Sequence, residues 1–264
     1  MVKLIILAAG EGKRLQPLTK NTPKCMVEIF GKPLLEHQID VIKKCGITEI
    51  IIVNGYHGEV ITIPDVQFYK NNKYHSTNMV ETLFCAEKEL DGPVIISYGD
   101  ILYEKNVLEK LLNSKNDFSI VIDKNWKEYW QIRIQNILDD VESLTLKDGF
   151  ITNLGQKVTS LNDIEGQYIG LMKFQNNAIS VLKDFYHFSK KQSESGQNPL
   201  NPKISFENSY MTDFLQGLIN NGHKLKAVEI NGGWLELDTL NDLKIYENLY
   251  NKKILNKFFN LENN

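Results

Sequence analysis

A short apolar run, Val2 to Leu7 broken only by Lys3, feeds into a stretch from Leu7 to Met26 that reads LAAGEGKRLQPLTKNTPKCM. At this length the run predicts a buried first strand. The loop after it limits what can be built there. Gly10 and Gly12 remove the Cβ where backbone must come close to a ligand, so successive N–H groups can line a nest for anionic oxygens. Arg14 and Lys24 add positive charge to the same loop. Strand, glycine turn and two spaced cations describe a pocket for a triphosphate. A turn that only reversed the chain would leave the cations, and the prolines Pro17 and Pro23, without a reason. Two familiar phosphate loops do not fit: a P-loop closes on Gly-Lys-Ser/Thr where this chain has Gly12-Lys13-Arg14, and the dinucleotide fingerprint needs a third glycine where Leu15 stands.

The next elements set the fold class. Pro33 suits the first residue of a helix, Leu34, Val41, Ile42 and Cys45 share one face of it, and Gly46 offers a C-terminal cap. Ile50 to Val53 is an unbroken β-branched run, as in a strand covered on both faces. Strand, loop, helix and strand in succession predict a parallel, right-handed βαβ crossover. Sheets of that kind bind ligands beyond the carboxyl ends of their strands, which is where Gly10 and Gly55-Tyr56 lie. Leu144 to Gly155 alternates as an antiparallel ribbon turning at Asp148-Gly149. The expected fold is therefore α/β and Rossmann-like, with a mixed, mainly parallel central sheet flanked by helices and a small antiparallel ribbon. One domain is expected over residues 1–264, with a nucleotide-binding half (1–115), an acceptor-binding half (116–235) and a closing strand end and helix (236–264).

Several further residues point at a site. Asn78 with Glu81 three residues on reads as a capping-box variant opening a helix that stops at Gly92-Pro93, which brings a positive helix end, beside Thr77, toward the loop. Pro93 to Tyr98 reads as a buried strand that ends in Gly99-Asp100. An aspartate there points into the crevice, and carboxylate oxygen is the ligand Mg2+ prefers, although a lone aspartate after a strand is more often a turn former. After a strand at Phe118 to Ile122, Trp126, Tyr129, Trp130 and Arg133 cluster. Arg14 and Arg133 are the only arginines in the chain. A planar guanidinium fork grips carboxylate or phosphate as an ammonium cannot, so Arg133 is expected to hold an anionic group of the substrate. Lys190 to Lys203 reads as a polar surface loop and Phe206 to Gly222 as a helix. Trp234 to Asp238 alternates as a strand, and Thr239 caps a last amphipathic helix carrying Leu240, Leu243, Tyr246, Leu249 and Tyr250.

Ala8-Ala9-Gly10-x-Gly12-x-Arg14-Leu15-x-Pro17-Leu18-Thr19, closed by Pro23-Lys24, resembles the signature loop of the nucleotidyltransferases that join a nucleoside triphosphate to a phosphorylated small molecule. The resemblance covers the whole chain and is strongest before Asp100. Asn125 to Arg133 and Tyr168-Ile169-Gly170-Leu171 are similar to the phosphocholine and phosphonate cytidylyltransferase branch. Sugar-phosphate members carry Glu-Lys-Pro where this chain has Gln156-Lys157, which disfavours a sugar-1-phosphate acceptor. The resemblance implies CTP as donor, Mg2+ held by Asp100 and Asp238, and Arg14 and Lys24 on the phosphates. It implies a nucleotide surrounded by Leu7, Ala8, Ala9, Gly10, Gly12, Gly55, Tyr56, Thr77 and Asn78. The acceptor would meet Trp126, Trp130, Arg133, Lys157 and Trp234. Phosphoglutamine is the implied acceptor, destined for cell-surface polysaccharide. Phosphocholine comes next, and its quaternary amine would favour an aromatic cage from the tryptophans. A non-catalytic nucleotide-sensing subunit is the rival of another class; such proteins tend to lose the cations or metal carboxylates, and here Arg14, Lys24, Asp100 and Asp238 are all present.

The reaction so implied needs no general base, because an acceptor phosphate oxygen is already anionic near neutral pH. His37, His57, His75, His187 and His223 are left to structural or exposed roles. Thirty basic against thirty-three acidic residues, a net charge of −3, offer no basic field for nucleic acid or an anionic membrane. Cys25, Cys45 and Cys85 are odd in number and lack CxxC spacing, which points to reduced thiols. The first ten residues are too soon interrupted by charge to be a signal peptide and no later run could span a bilayer, so a cytoplasmic protein is expected.

Overall fold

The computed structural model describes residues 1–263. In chain order its strands and helices are β1 (Lys3–Ala8), β2 (Glu28–Ile29), β3 (Lys32–Pro33), α1 (Leu34–Lys44), β4 (Glu49–Asn54), β5 (Gln67–Lys70), α2 (Met79–Phe84), β6 (Val94–Tyr98), β7 (Ile101–Tyr103), α3 (Lys105–Asn113), β8 (Phe118–Asp123), α4 (Trp126–Arg133), β9 (Glu142–Lys147), β10 (Phe150–Lys157), β11 (Gln167–Phe174), α5 (Ala178–Glu194), α6 (Met211–Asn220), β12 (Leu225–Ile230), β13 (Trp234–Glu236) and α7 (Leu240–Asn251). The apolar runs become the centre of a sheet ordered β5-β4-β1-β6-β11-β8-β12-β10-β9. β4, β1 and β6 pair in parallel, and β10 and β11 run against the other strands of the sheet.

Side chains on successive residues of a strand point to opposite faces, so a strand apolar at every position must be covered twice. Leu4 and Ile6 of β1, with Ile50 and Ile52 of β4, pack into the core beneath α1, α3, α4 and α7. Ile5 and Leu7, with Ile51 and Val53, pack into a second core beneath α2, α5 and α6. Each such side chain, fully withdrawn from water, contributes about 1.5–3 kcal/mol. The register aligns Leu7 with Val53 on one side and Tyr98 on the other, so the chain leaves β1, β4 and β6 at one edge.

Local detail departs from expectation in four places. The helix expected from Asn78 to Gly92 is the short α2, followed by a 3-10 turn at Glu87–Glu89. Asn78 Oδ1 accepts the Met79 N–H at 2.8 Å, but the Glu81 carboxylate takes bonds from Tyr186 and Lys190, so no capping box forms. The start of the expected Lys190–Lys203 loop is the end of α5, and the expected Phe206–Gly222 helix begins only at Met211, after a separate 3-10 turn. The β9–β10 hairpin belongs to the main sheet through Phe150 and Ile151, which pair with β12. The separate antiparallel ribbons are instead β2 with β3, and β7 with β13, the latter pairing Ile101 with Glu236 and Tyr103 with Trp234. No helix among the described residues is long and apolar enough to cross a membrane, and Cys25, Cys45 and Cys85 are free.

Candidate active site

The loop after β1 is held from within. Leu15 is fully buried and anchors a 3-10 turn, Lys13–Leu15, whose first carbonyl, that of Gly12, accepts from the Leu15 N–H at 2.9 Å and the Thr19 hydroxyl at 2.8 Å. Gly12 has φ +64°, and a Cβ there would lie 3.0 Å from Lys24 Cβ and 3.1 Å from Thr19 Cγ2. Glycine is therefore required twice over, for the left-handed backbone and for the Lys24 stem packed against it.

That packing aims the Lys24 ammonium at two carboxylates. It donates to Asp100 Oδ2 at 2.7 Å and to Asp238 Oδ1. Asp100 follows β6 and Asp238 follows β13. The β7–β13 ribbon, extended by the Leu237 N–H donating to the Asp100 carbonyl at 2.9 Å, brings the two strand ends together. Arg14 reaches Asp238 Oδ2 at 3.0 Å from outside, with its side chain 64% exposed. Asp100, Glu236 and Asp238 each offer a carboxylate oxygen within 4.8 Å of the others. Burial opposes the Lys24 charge, yet Asp100, Asp238 and Glu236 together hold its pKa above the ordinary lysine value. Burial would raise the Asp238 carboxyl, but Lys24 and then Arg14 hold it below the usual aspartate range. Glu236 is pushed up to about 7 by burial and by the Asp238 charge. Asp100 Oδ1 is buried without a hydrogen-bond partner. A set of clustered carboxylate oxygens, one of them unsatisfied, fits a hard divalent cation.

The cluster lines a cavity of about 580 Å³, shared with Gly10, Gly12, Arg14, Trp130, Asp140, Glu142, Tyr168, Thr212 and Trp234. A smaller cavity of about 120 Å³ shares Gly10, Lys24 and Asp100 with it and is lined further by Leu7, Ala8, Ala9, Asn78 and Thr82. The expected nucleotide residues from Leu7 to Gly12, with Asn78, thus line these two adjoining cavities, and the expected acceptor residues Trp130 and Trp234 line the larger.

Other expected residues stand elsewhere. Tyr56 donates to the carbonyls of Thr19 and Lys20 and braces the loop from behind. Gly55 is needed for close packing, since a Cβ there would meet Ala9 O at 2.8 Å. The Thr77 hydroxyl donates to the Lys73 carbonyl within its own turn. Trp126 is 4% exposed and lies edge-on behind Trp130. Lys157 does not line the main cavity but borders a neighbouring one that shares Asp140 and Glu142 with it. Arg133 does not line the cavity: its side chain is 2% exposed and forms ion pairs with Glu236 at 2.9 Å and Asp242 at 3.0 Å.

Sequence reasoning missed Glu236, although residues two apart on a strand share a face and Trp234, Glu236 and Asp238 follow that spacing. It also missed Asp140, Glu142, Tyr168 and Thr212, which meet only through the packing of β9, β11 and α6. Glu142 reaches solvent at the cavity rim, yet its carboxyl is pushed up to about 7 by the surrounding desolvation and by the charges of Asp213 and Asp140. Trp130 donates from its indole nitrogen to Asp140 Oδ2 at 2.9 Å.

A family model described as a MobA-like NTP transferase domain matches residues 4–151. The sequence is 42% identical over 252 residues, 91% of this chain and 97% of the relative, to the CTP:phosphoglutamine cytidylyltransferase of Campylobacter jejuni. It is 33% identical over 157 residues, 56% of this chain and 68% of the relative, to the choline-phosphate cytidylyltransferase of Streptococcus pneumoniae. The solved CTP:phosphocholine cytidylyltransferase from Streptococcus pneumoniae matches with a TM-score of 0.71 at 22% identity, covering 94% of this chain and 99% of that one, a likeness of fold.

Proposed function

This chain belongs to the family of MobA-like NTP transferase domains and is a nucleotidyltransferase, and from that premise we propose that it moves CMP from CTP onto phosphoglutamine with release of pyrophosphate. The observation that carries the reaction is the bridge from Lys24 to Asp100 and Asp238 at the glycine loop. The donor and acceptor rest on the 42% identity, over nearly the full length of both chains, to a cytidylyltransferase named for phosphoglutamine.

An acceptor phosphate oxygen attacks the α-phosphorus in line and the pyrophosphate oxygen leaves. The nucleophile is already an anion, so the obstacle is repulsion between it and the triphosphate. Fixed positive charge and aimed N–H groups lower that obstacle, each such contact typically contributing about 10²–10³ in rate. Lys24, held by packing, meets the α-phosphate or the acceptor phosphate. Arg14, exposed and free to leave Asp238, turns to the departing phosphates, while the Gly10 to Gly12 backbone lines the remaining oxygens. Asp100 and Asp238, with Glu236 beside them, would hold Mg2+. When bound, the ion supplies positive charge against the phosphate oxygens.

The acceptor end of the cavity carries Trp130, Trp234, Asp140 and Glu142. Aromatic faces and carboxylates suit an ammonium group, and with Arg133 engaged elsewhere the amino end of the acceptor is what this wall reads. Choline also presents a cation, so phosphocholine is the second reading, supported by the same wall and by the second cytidylyltransferase relative. A cytidylyl-activated amino-acid amide would serve as a donor for decorating cell-surface polysaccharide. The test is pyrophosphate release with Mg2+, each nucleoside triphosphate and a panel of phosphoglutamine, phosphocholine and a sugar 1-phosphate. Turnover confined to CTP and phosphoglutamine supports the reading. Preference for phosphocholine or the sugar phosphate overturns the acceptor, and no turnover with any pair overturns the enzyme.

A further inference from the structure

Arg133 bridges the side chains of Glu236 and Asp242, which flank Asp238 in sequence. Its NH1 donates to Glu236 Oε2 at 2.9 Å and its Nε to Asp242 Oδ1 at 3.0 Å. The other oxygen of Asp242 accepts the backbone N–H of Asp238 at 3.1 Å, the N–H of Thr239 at 2.8 Å and the Thr239 hydroxyl at 3.0 Å. The backbone of Glu236 is tied down on both sides, its N–H donating to the Tyr129 hydroxyl and its carbonyl accepting from Tyr246, both at 2.7 Å. The guanidinium packs 5.0 Å from the Tyr129 ring centre and 5.5 Å from that of Trp130. One cation on α4 thus spans the carboxylate that ends β13 and the carboxylate that caps α7, and the turn between them carries Asp238.

We propose that Arg133 and Asp242 are positioning residues that lock the Glu236 to Asp238 turn so that its carboxylates converge with Asp100 on a divalent cation. This rests on the reading of Asp100, Glu236 and Asp238 as the cation site. A lysine at 133 keeps the charge but lacks the planar fork that reaches both partners. Groups that orient metal-binding side chains typically change affinity by about 10–100-fold when altered.

The experiment is Mn2+ binding to the nucleotide-free protein, read by electron paramagnetic resonance, for the wild type, Asp100→Asn, Arg133→Lys and Asp242→Asn. Steady-state kinetics are measured beside it. Asp242→Asn keeps an oxygen for the Asp238 and Thr239 amides, so it tests the same clamp should Arg133→Lys fail to fold. The expected result is Mn2+ bound by the wild type and lost in Asp100→Asn. In the folded clamp variants Mn2+ affinity falls about 10–100-fold. Their kcat is depressed at low metal and recovers at high Mn2+, with the acceptor KM unchanged. Folded clamp variants that bind Mn2+ like the wild type, or that raise the acceptor KM instead, overturn the clamp alone. Wild-type protein that binds no Mn2+, or Asp100→Asn that binds it normally, overturns the cation site beneath it.

Discussion

Replacing Lys24 with methionine keeps an unbranched stem against Gly12 and removes the charge that Asp100, Glu236 and Asp238 share. Two unit charges at the 4.8 Å that bounds this cluster repel by about 3.5 kcal/mol at an effective dielectric of about 20. Taking one partner from such a buried group typically costs about 3–5 kcal/mol. The carboxylates relieve part of this by taking up protons. Without Lys24 the Glu236 and Asp238 carboxyls lose a charge that lowers them, so that burial holds them above their values in the unfolded chain. A carboxyl raised in this way costs stability above its folded pKa, and the cost fades as pH falls toward its unfolded value. The variant should therefore be less stable than the wild type by about 3 kcal/mol at pH 8 and by clearly less at pH 5. Added Mg2+ should stabilise the variant more than the wild type, because the ion then neutralises charge that Lys24 no longer covers. Turnover should drop by about 10²–10³ while the fold persists. Thermal unfolding at the two pH values, with and without Mg2+, and pyrophosphate release measure all of this. A variant whose deficit grows on acidification, or which turns over within tenfold of the wild type, would refute the assignment of Lys24 as the charge that balances both carboxylates and phosphates.

Three further outcomes rest on the same geometry. Gly12→Ala places a side chain at φ +64° and within 3.0 Å of the Lys24 stem, so it should lose about 1–2 kcal/mol in thermal unfolding and, by displacing Lys24, at least tenfold in kcat. Leu15→Ala empties a fully buried site under the loop and should cost about 2–5 kcal/mol by denaturant unfolding, with CTP binding weakened because the loop loses its anchor. Glu142, whose carboxyl is pushed up to about 7, should hold an acceptor ammonium only when ionised. The acceptor kcat/KM should then fall about tenfold per pH unit below that value, a dependence that Glu142→Gln removes. The ionisation of the acceptor phosphate affects both proteins equally, so superimposable pH profiles would discard Glu142 as the contact.

How much of the molecule is legible in the chain depends on the range of the forces involved. β1, α1 and β4 declare themselves because apolar periodicity is local, and the glycine loop does so because turn geometry and charge spacing are local too. The capping box expected at the start of α2 does not form because the Glu81 carboxylate is drawn to Tyr186 and Lys190 on α5, more than a hundred positions away and without a local signal. Arg133 departs from expectation for a related reason. Its rarity and planar fork correctly indicate a demand for carboxylate, but residue type cannot say whose carboxylate. Asp242 and Glu236 of the same chain meet that demand.

The acidic cluster marks the boundary between what is local and what is not. Asp100 and Asp238 are each recognisable as a carboxylate at a strand end, yet neither is a site alone. They become one through three residue pairs, Ile101 with Glu236, Leu102 with Leu235 and Tyr103 with Trp234. Because side chains alternate along a strand, a slip of one residue in this ladder would turn Glu236 and Trp234 to the opposite face and put Leu235 in their place. Ile101, Leu102, Tyr103, Trp234 and Leu235 are all 1–2% exposed, so such a slip would force large side chains on both faces of the ribbon out of the places they fill. The packing of these ribbon side chains therefore fixes the register that gathers the acids. The charge cluster, unfavourable by itself, is held in place by the burial of the ribbon that carries it and neutralised by Lys24.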